Sequence, residues 1–268
     1  MPTTNPVTYT PSPTGISLIT LSRPTRRNAV DPPTAQALYT AFLSFEADHT
    51  QKVCVFHGEN GTFCAGADLQ DVASRSSTTS ETQQHFGPVE GRNIGPMGPS
   101  RMQVKKPVIC AVSGYAVAGG LELALLADIR VVEEDAILGV FCRRFGVPLI
   151  DGGTVRLQAV VGLGRALDMI LTGRAVGAKE ALSMGLANRV VPKGRALEEA
   201  VKIARLLVGF PQECMRRDRE STYNAAYGKG GFEEKLRFEF ENGVGVVKEE
   251  GIEGARRFAG GQGRAGKL

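Results

Sequence analysis

The stretch KKPVICAVSGYAVAGGLELALLADIRVV, residues 105–132, decides how this chain is read, because a strand pattern, a glycine pair and a helical pattern follow one another without a break. PVICAVSG at 107–114 is rich in Val and Ile and ends in turn residues, which predicts a strand. Leu121 to Asp128 reads as a buried helix, and IRVVEED at 129–135 as the next strand. Between the first strand and the helix stand Ala118, Gly119 and Gly120. Absent or minimal side chains there let a ligand carbonyl approach the main chain closely. A helix opening near Gly119 would aim its free N–H groups and positive dipole end at that oxygen.

Working outward, FCAGADL at 63–69 repeats the theme with Ala65, Gly66 and Ala67. Main-chain donors need no reorganisation as negative charge develops on an oxygen, so two such stretches read as the halves of an oxyanion hole. Glu122 falls in the first turn of the predicted apolar helix. A carboxylate is costly there unless something uses it, which points to acid/base work, the alternative being a capping or ion-paired structural role. The glycines alone carry less weight, since glycine also marks ordinary turns.

The wider chain alternates in the same way. ISLITL at 16–21 and KVCVFHG at 52–58 read as further strands, and helical patterns run over 32–48, 119–127, 154–160, 164–171 and 178–184. That alternation predicts an α/β domain. The segment 74–101 is polar and rich in Gly, Pro, Ser and Thr, which predicts a loop or a poorly ordered helix. From about residue 195 the composition turns to charge-rich helical runs whose apolar faces find no evident partner upstream. Two parts are therefore expected, a core over 1–194 and a helical region over 195–268.

Composition excludes several classes. With 42% apolar and 22% charged residues the chain has the balance of a globular protein, and no apolar run reaches the length of a membrane span. The net charge of +4 is mild and dispersed, which argues against a nucleic-acid partner while still favouring an anionic one. Five cysteines show no metal-like spacing and make an incomplete disulfide framework, which suits a reduced compartment. His49, His57 and His85 form no cluster with a patterned carboxylate, so no metal is assigned. The N-terminus lacks the apolar core of a signal peptide, making the cytoplasm the default address. The terminal Gly-Lys-Leu is close to the Ser-Lys-Leu peroxisomal signal, which keeps the peroxisome as the alternative.

Taken in order, these motifs resemble the enoyl-CoA hydratase/isomerase (crotonase) superfamily. The resemblance begins at LSRPTRRNAVD (21–31), passes through the two glycine stretches, and continues at DGGTVRL (151–157), LTGRAVGAKEALSMGLANRVVP (171–192) and EGIEGARRF (251–258). It implies a crotonase-like spiral of ββα repeats with a C-terminal helical region through which a homotrimer, or a hexamer of paired trimers, assembles. By similarity the N–H groups of Ala67 and Gly119 hold the thioester oxygen of an acyl-CoA, while Ala65, Gly66, Asp68 and Leu69 line the strip. Arg26 stands where the family contacts the CoA moiety, although a solvated arginine is the plain alternative. Coenzyme A is then part of the substrate and no separate cofactor is implied.

One departure bears on the chemistry. The family's second hydratase glutamate aligns with Cys142. A thiol, with a pKa of about 8.5, suits nucleophilic work better than water activation. Simple packing is the other reading of Cys142. Asp151, in LIDGGT, aligns with the second catalytic aspartate of the dienoyl-CoA isomerase type, while Asp before Gly-Gly is also ordinary helix-capping chemistry. Arg143 and Arg144 beside this region suit an ion pair and a solvated charge, or anion binding. The leading expectation is an enoyl-CoA hydratase-like lyase using Glu122 and Asp151. An enoyl-CoA or dienoyl-CoA isomerase using the same pair, and an acyl-CoA-binding homologue with little catalysis, are the alternatives.

Overall fold

The computed structural model describes residues 5–74 and 87–263. Much of the segment expected to be a loop or poorly ordered helix, His85 within it, and the terminal Gly-Lys-Leu therefore lie outside the described residues.

Every strand expected from the sequence is present. β1 (Val7–Thr10) pairs antiparallel with β2 (Ile16–Leu21), and β2 runs parallel to β3 (Val53–Gly58). β4 (Val108–Val112), β6 (Ile129–Glu133) and β9 (Arg189–Val191) extend the sheet in parallel, in the order β1-β2-β3-β4-β6-β9. A smaller sheet holds β5 (Tyr115–Val117), β7 (Ile137–Gly139) and β8 (Val176–Gly177).

The near-continuous apolar runs of β3 and β4 follow from burial on both faces of a parallel sheet. On one face Ile19, Leu21, Cys54, Phe56, Cys110 and Val112 join the larger core. On the other, Ile16, Val53, Val55, Ile109, Ala111 and Val131 form a second core. Period-two alternation sends neighbours to opposite sides.

After each strand the chain turns into a second layer of short parallel rungs. Val30 bridges Ala67, Cys64 bridges Ala116, and β5 pairs with β7. These rungs, repeated after β2, β3, β4 and β6, make the expected spiral and bring the two glycine stretches side by side. Helices close each turn: α1 (Pro32–Ala47), α2 (Leu69–Ser74), α3 (Gly119–Ala124), α4 (Gly153–Val161), α5 (Leu163–Thr172) and α6 (Ala178–Ser183). α1 starts at Asp31, whose carboxylate accepts from the Thr34 N–H at 2.9 Å. Its far end is held by the buried Lys106, whose ammonium donates to the carbonyls of Phe45, Asp48 and Gln51 at 2.7–2.9 Å.

α7 (Ala196–Gly209) belongs, all but its last residue, with the first unit, which spans Met1–Val208. The sequence offered this helix no partner upstream, yet Ala196, Ala200 and Ala204 pack in the second core against β2, β3, β4 and β6. Small side chains at four-residue spacing let the helix lie close to the sheet. The second unit, Gly209–Leu268, contains α8 (Gln212–Tyr227), α9 (Phe232–Val246) and α10 (Ile252–Ala259), with a π-helical turn at Val247–Gly251 between the last two. Asn242 of α9 donates to the Arg217 carbonyl and Ser221 hydroxyl of α8 at 3.0 and 3.1 Å.

Candidate active site

The rungs bring Ala67 and Gly119 to one cavity. In the first strip the Ala65 N–H donates to Arg27 O at 3.1 Å and that of Asp68 to Val30 O at 2.9 Å, while the Gly66 N–H meets the Cys64 sulfur at 3.4 Å. In the second, the Ala118 N–H donates to Gly139 O at 2.9 Å. The N–H groups of Ala67 and Gly119 make no backbone hydrogen bond of this kind among the described residues. Both residues line a cavity of about 430 Å³.

Two glycines hold the strips together. Gly66 has φ +99°, and a Cβ there would meet Ala118 Cβ at 2.9 Å and the Gly119 nitrogen at 3.2 Å. Gly120 lies so close to the first strip that a Cβ would meet the Cys64 carbonyl oxygen at 2.1 Å. Ala118 itself has φ +53° and ψ −127°, a conformation that costs a non-glycine residue about 1–3 kcal/mol. Its own N–H bond and the Leu121 and Glu122 N–H groups donating to its carbonyl keep it there.

Glu122 is 3% exposed, in the first turn of α3, and lines the cavity. Its Oε1 accepts from the Asp151 N–H at 3.0 Å and the Gly153 N–H at 2.8 Å, so the carboxyl sits at the start of α4. Burial raises its pKa to about 8, with the Asp151 charge adding to the rise. The two backbone donors and Arg156 pull the other way and are outweighed. Near neutral pH the group is therefore largely protonated.

Asp151 is also buried and lines the same cavity. Its Oδ1 accepts from the Met97 N–H at 2.9 Å and from the Ser100 hydroxyl, tying down the loop ahead of β4. It thus combines a structural task with a position beside Glu122. Cys142 lies in a 3-10 turn (Phe141–Phe145), lines the cavity, and is 8% exposed. Burial, then the Glu122 charge, pushes its thiol up from the ordinary value.

Other residues of the expected site take different places. Ala65 and Leu69 line the cavity, whereas Gly66 and Asp68 do not. Asp68 faces away, pairing with Arg23 at 3.2 Å and Arg26 at 3.9 Å and accepting from the Gln70 N–H at 3.2 Å. Arg26, its side chain 43% exposed, also donates to Gln70 Oε1. Arg143 and Arg144 are spent on α5: Arg143 donates to Ile170 O at 3.2 Å, and Arg144 to Gly173 O at 2.8 and 3.0 Å while stacking on Phe141 at 3.7 Å. No anion-binding role is needed to account for them. Sequence reasoning missed Arg23, which also pairs with Asp31 at 2.6 Å and so links the first strip to the start of α1. A lone arginine before Pro24 carries no pattern that would reveal this.

A spiral of ββα repeats with two closely approaching glycine strips and a buried glutamate on one cavity is the arrangement of a crotonase-type protein, and comparison with known proteins agrees. Residues 12–254 match the family model described as enoyl-CoA hydratase/isomerase. The chain is 30% identical to enoyl-CoA hydratase EchA19 of Mycobacterium tuberculosis over 256 residues, covering 90% of this chain and 89% of that one. It is 37% identical over 191 residues to carnitinyl-CoA dehydratase of Salmonella arizonae, covering 71% and 70%. Among solved structures, an enoyl-CoA hydratase of Geobacillus kaustophilus superposes with a TM-score of 0.84 at 30% identity, covering 95% of each chain. The chain belongs to the enoyl-CoA hydratase/isomerase family.

Proposed function

We propose that this protein is an enoyl-CoA hydratase-like lyase, adding water reversibly to a 2-enoyl-CoA thioester. The observation that carries the reading is the buried Glu122 carboxyl, pushed up to about 8, on the wall of a cavity lined also by Ala67 and Gly119, the proposed N–H donors. Those N–H groups would hold the thioester oxygen and stabilise the enolate. Glu122 positions water and passes a proton, and a group titrating near the working pH is suited to that exchange. Asp151, fixed by Met97 and Ser100, assists from beside it. The thioester supplies the electron sink, so no further cofactor enters the scheme. The relatives named as hydratases and as a dehydratase favour water chemistry.

A second reading, an enoyl-CoA or dienoyl-CoA isomerase, is favoured by one feature: Cys142 stands on the cavity wall where a second water-activating carboxylate is expected. Glu122 and Asp151 would then move a proton between carbons without adding water. A trans-2-, trans-3- and dienoyl-CoA panel incubated in deuterated water and read by mass spectrometry separates the two. Gain of one water supports the lyase. Deuterium exchange or double-bond migration without that gain sinks it in favour of the isomerase. Binding of the panel with no turnover by wild type would support the third reading, a binding homologue. Glu122→Gln should lower turnover by about 10²–10⁴-fold while preserving acyl-CoA affinity.

The exposed apolar side chains of the C-terminal unit, among them Phe232, Phe240, Val247 and Phe258, support its reading as the assembly surface of a homotrimer or hexamer. Light scattering on the purified protein tests this, and a monomer at micromolar concentration would refute it.

A further inference from the structure

We propose that Arg156 is a positioning residue, its guanidinium setting the geometry between Glu122 and Asp151 without touching the substrate. The inference rests on the reading of Glu122 as the acid/base group. Arg156 projects from α4 and is not part of the cavity wall. One nitrogen, Nη1, donates to Ser100 O at 2.8 Å and to Asp151 O at 3.2 Å, and Nη2 donates to Met102 O at 3.0 Å. The same arginine therefore grips both Asp151 and the Ser100–Met102 segment that holds the Asp151 carboxylate. Ser100 is the residue whose hydroxyl holds the Asp151 carboxylate, and the Asp151 N–H is one of the two donors to Glu122. Holding the Ser100 and Asp151 carbonyls thus restrains the two residues that carry these donors. A planar fork with several donors reaches three carbonyls at once, which a single ammonium at the end of a flexible stem does not reproduce.

The guanidinium also acts through its charge. Asp151 in the loop ahead of α4 and Arg156 on α4 oppose each other at Glu122, the first raising and the second lowering its proton affinity. Cys142, from the 3-10 turn on the cavity wall, feels the Glu122 charge in turn. Removing the cation while keeping the fold therefore moves the Glu122 titration upward, and removing the fork while keeping the cation disturbs geometry alone.

The test compares Arg156→Gln and Arg156→Lys with wild type by the pH dependence of kcat and KM on a trans-2-enoyl-CoA, together with the ¹³C titration of the Glu122 carboxyl. Arg156→Gln should lose about ten- to a hundredfold in kcat with KM near the wild-type value, and its Glu122 midpoint should lie above that of wild type. Arg156→Lys should restore the midpoint and only part of kcat. Wild-type kcat and midpoint in Arg156→Gln, or a loss confined to KM, would overturn the proposal. Should Arg156→Gln fail to fold, Arg156→Lys decides, and a wild-type kcat there overturns the geometric role. If wild type itself turns over no enoyl-CoA, the functional reading fails separately. The inference then stands or falls on the Glu122 midpoint, which should rise in Arg156→Gln, or in Arg156→Met if that is the cation-free variant that folds, and stay at the wild-type value in Arg156→Lys; an unmoved midpoint in the cation-free variant overturns it.

Discussion

Replacing Gly120 by alanine should cost both stability and activity through one displacement. Gly120 lies in α3 with ordinary helical backbone, where alanine would by itself gain about 1 kcal/mol over glycine. The surroundings reverse that sign. An added Cβ would lie 2.1 Å from the Cys64 carbonyl oxygen, 2.8 Å from its carbonyl carbon and 3.0 Å from its Cβ. Ordinary contact begins near 3.4 Å, so the gap must open by more than 1 Å. The Cys64 carbonyl cannot swing aside cheaply, because it accepts the Val117 N–H at 3.2 Å and belongs to a rung bonded on both sides. What moves is α3, carrying Gly119 and Glu122 with it. Overpacking of this kind costs about 1–3 kcal/mol, and a 1 Å misplacement at a reacting centre about a hundredfold in rate. The comparison is Gly164→Ala in α5, where nothing lies within 4 Å of the added methyl; that variant should match or slightly exceed wild-type stability, with wild-type activity. Urea unfolding by circular dichroism and turnover of the enoyl-CoA panel are the measurements. Wild-type stability and turnover in Gly120→Ala would refute the close approach of the two strips.

Further outcomes follow from the same structure. Glu122→Gln should flatten the decline of stability with pH: the folded-state pKa of about 8 lies above the ordinary carboxyl value of 4.5, so the folded protein holds the extra proton between them and loses stability as pH rises. The slope is at most about 1.4 kcal/mol per pH unit, and denaturation midpoints of wild type and variant should diverge across that window; parallel curves would contradict the raised pKa. Arg23→Ala should destabilise the protein by about 3 kcal/mol, because it leaves the buried Asp68 with the more distant Arg26 alone, and urea titration measures this. Ala118→Gly should stabilise by about 1 kcal/mol by relieving the positive-φ backbone, and a loss in the thermal midpoint would argue against that strain.

Much of the fold was legible because it rests on local pattern. The strands expected at 16–21, 52–58, 107–114 and 129–135 and the helix expected at 32–48 fall within two residues of their observed ends, since each has a short apolar run or period closed by Gly, Pro or a capping Asp. The rungs of the second layer were less legible. β5 and β7 are three residues each, too short for a period, and their pairing depends on residues far apart in the chain. α7 misled for a related reason: its alanines carry little hydrophobic signal, and only the adjacent sheet shows why small side chains are required there.

At the site the division falls between backbone and charge. The close approach of the two strips was readable from their small residues, because contact without bulk demands glycine and alanine there, while the choice of Ala67 and Gly119 as donors came from the resemblance. Carboxyl chemistry is set instead by distance and burial, which no spacing reveals: Asp151 and Glu122 are 29 residues apart, yet the Asp151 N–H lies 3.0 Å from the Glu122 carboxyl. The alternatives posed for Asp151, acid/base group or structural anchor, do not exclude each other, because the residue anchors the Met97–Ser100 loop and raises the proton affinity of Glu122 at the same time. Arg156 carries the same lesson further. As the fourth residue of a helix it resembles any other arginine, and its importance arises only where three carbonyls from two segments converge on it.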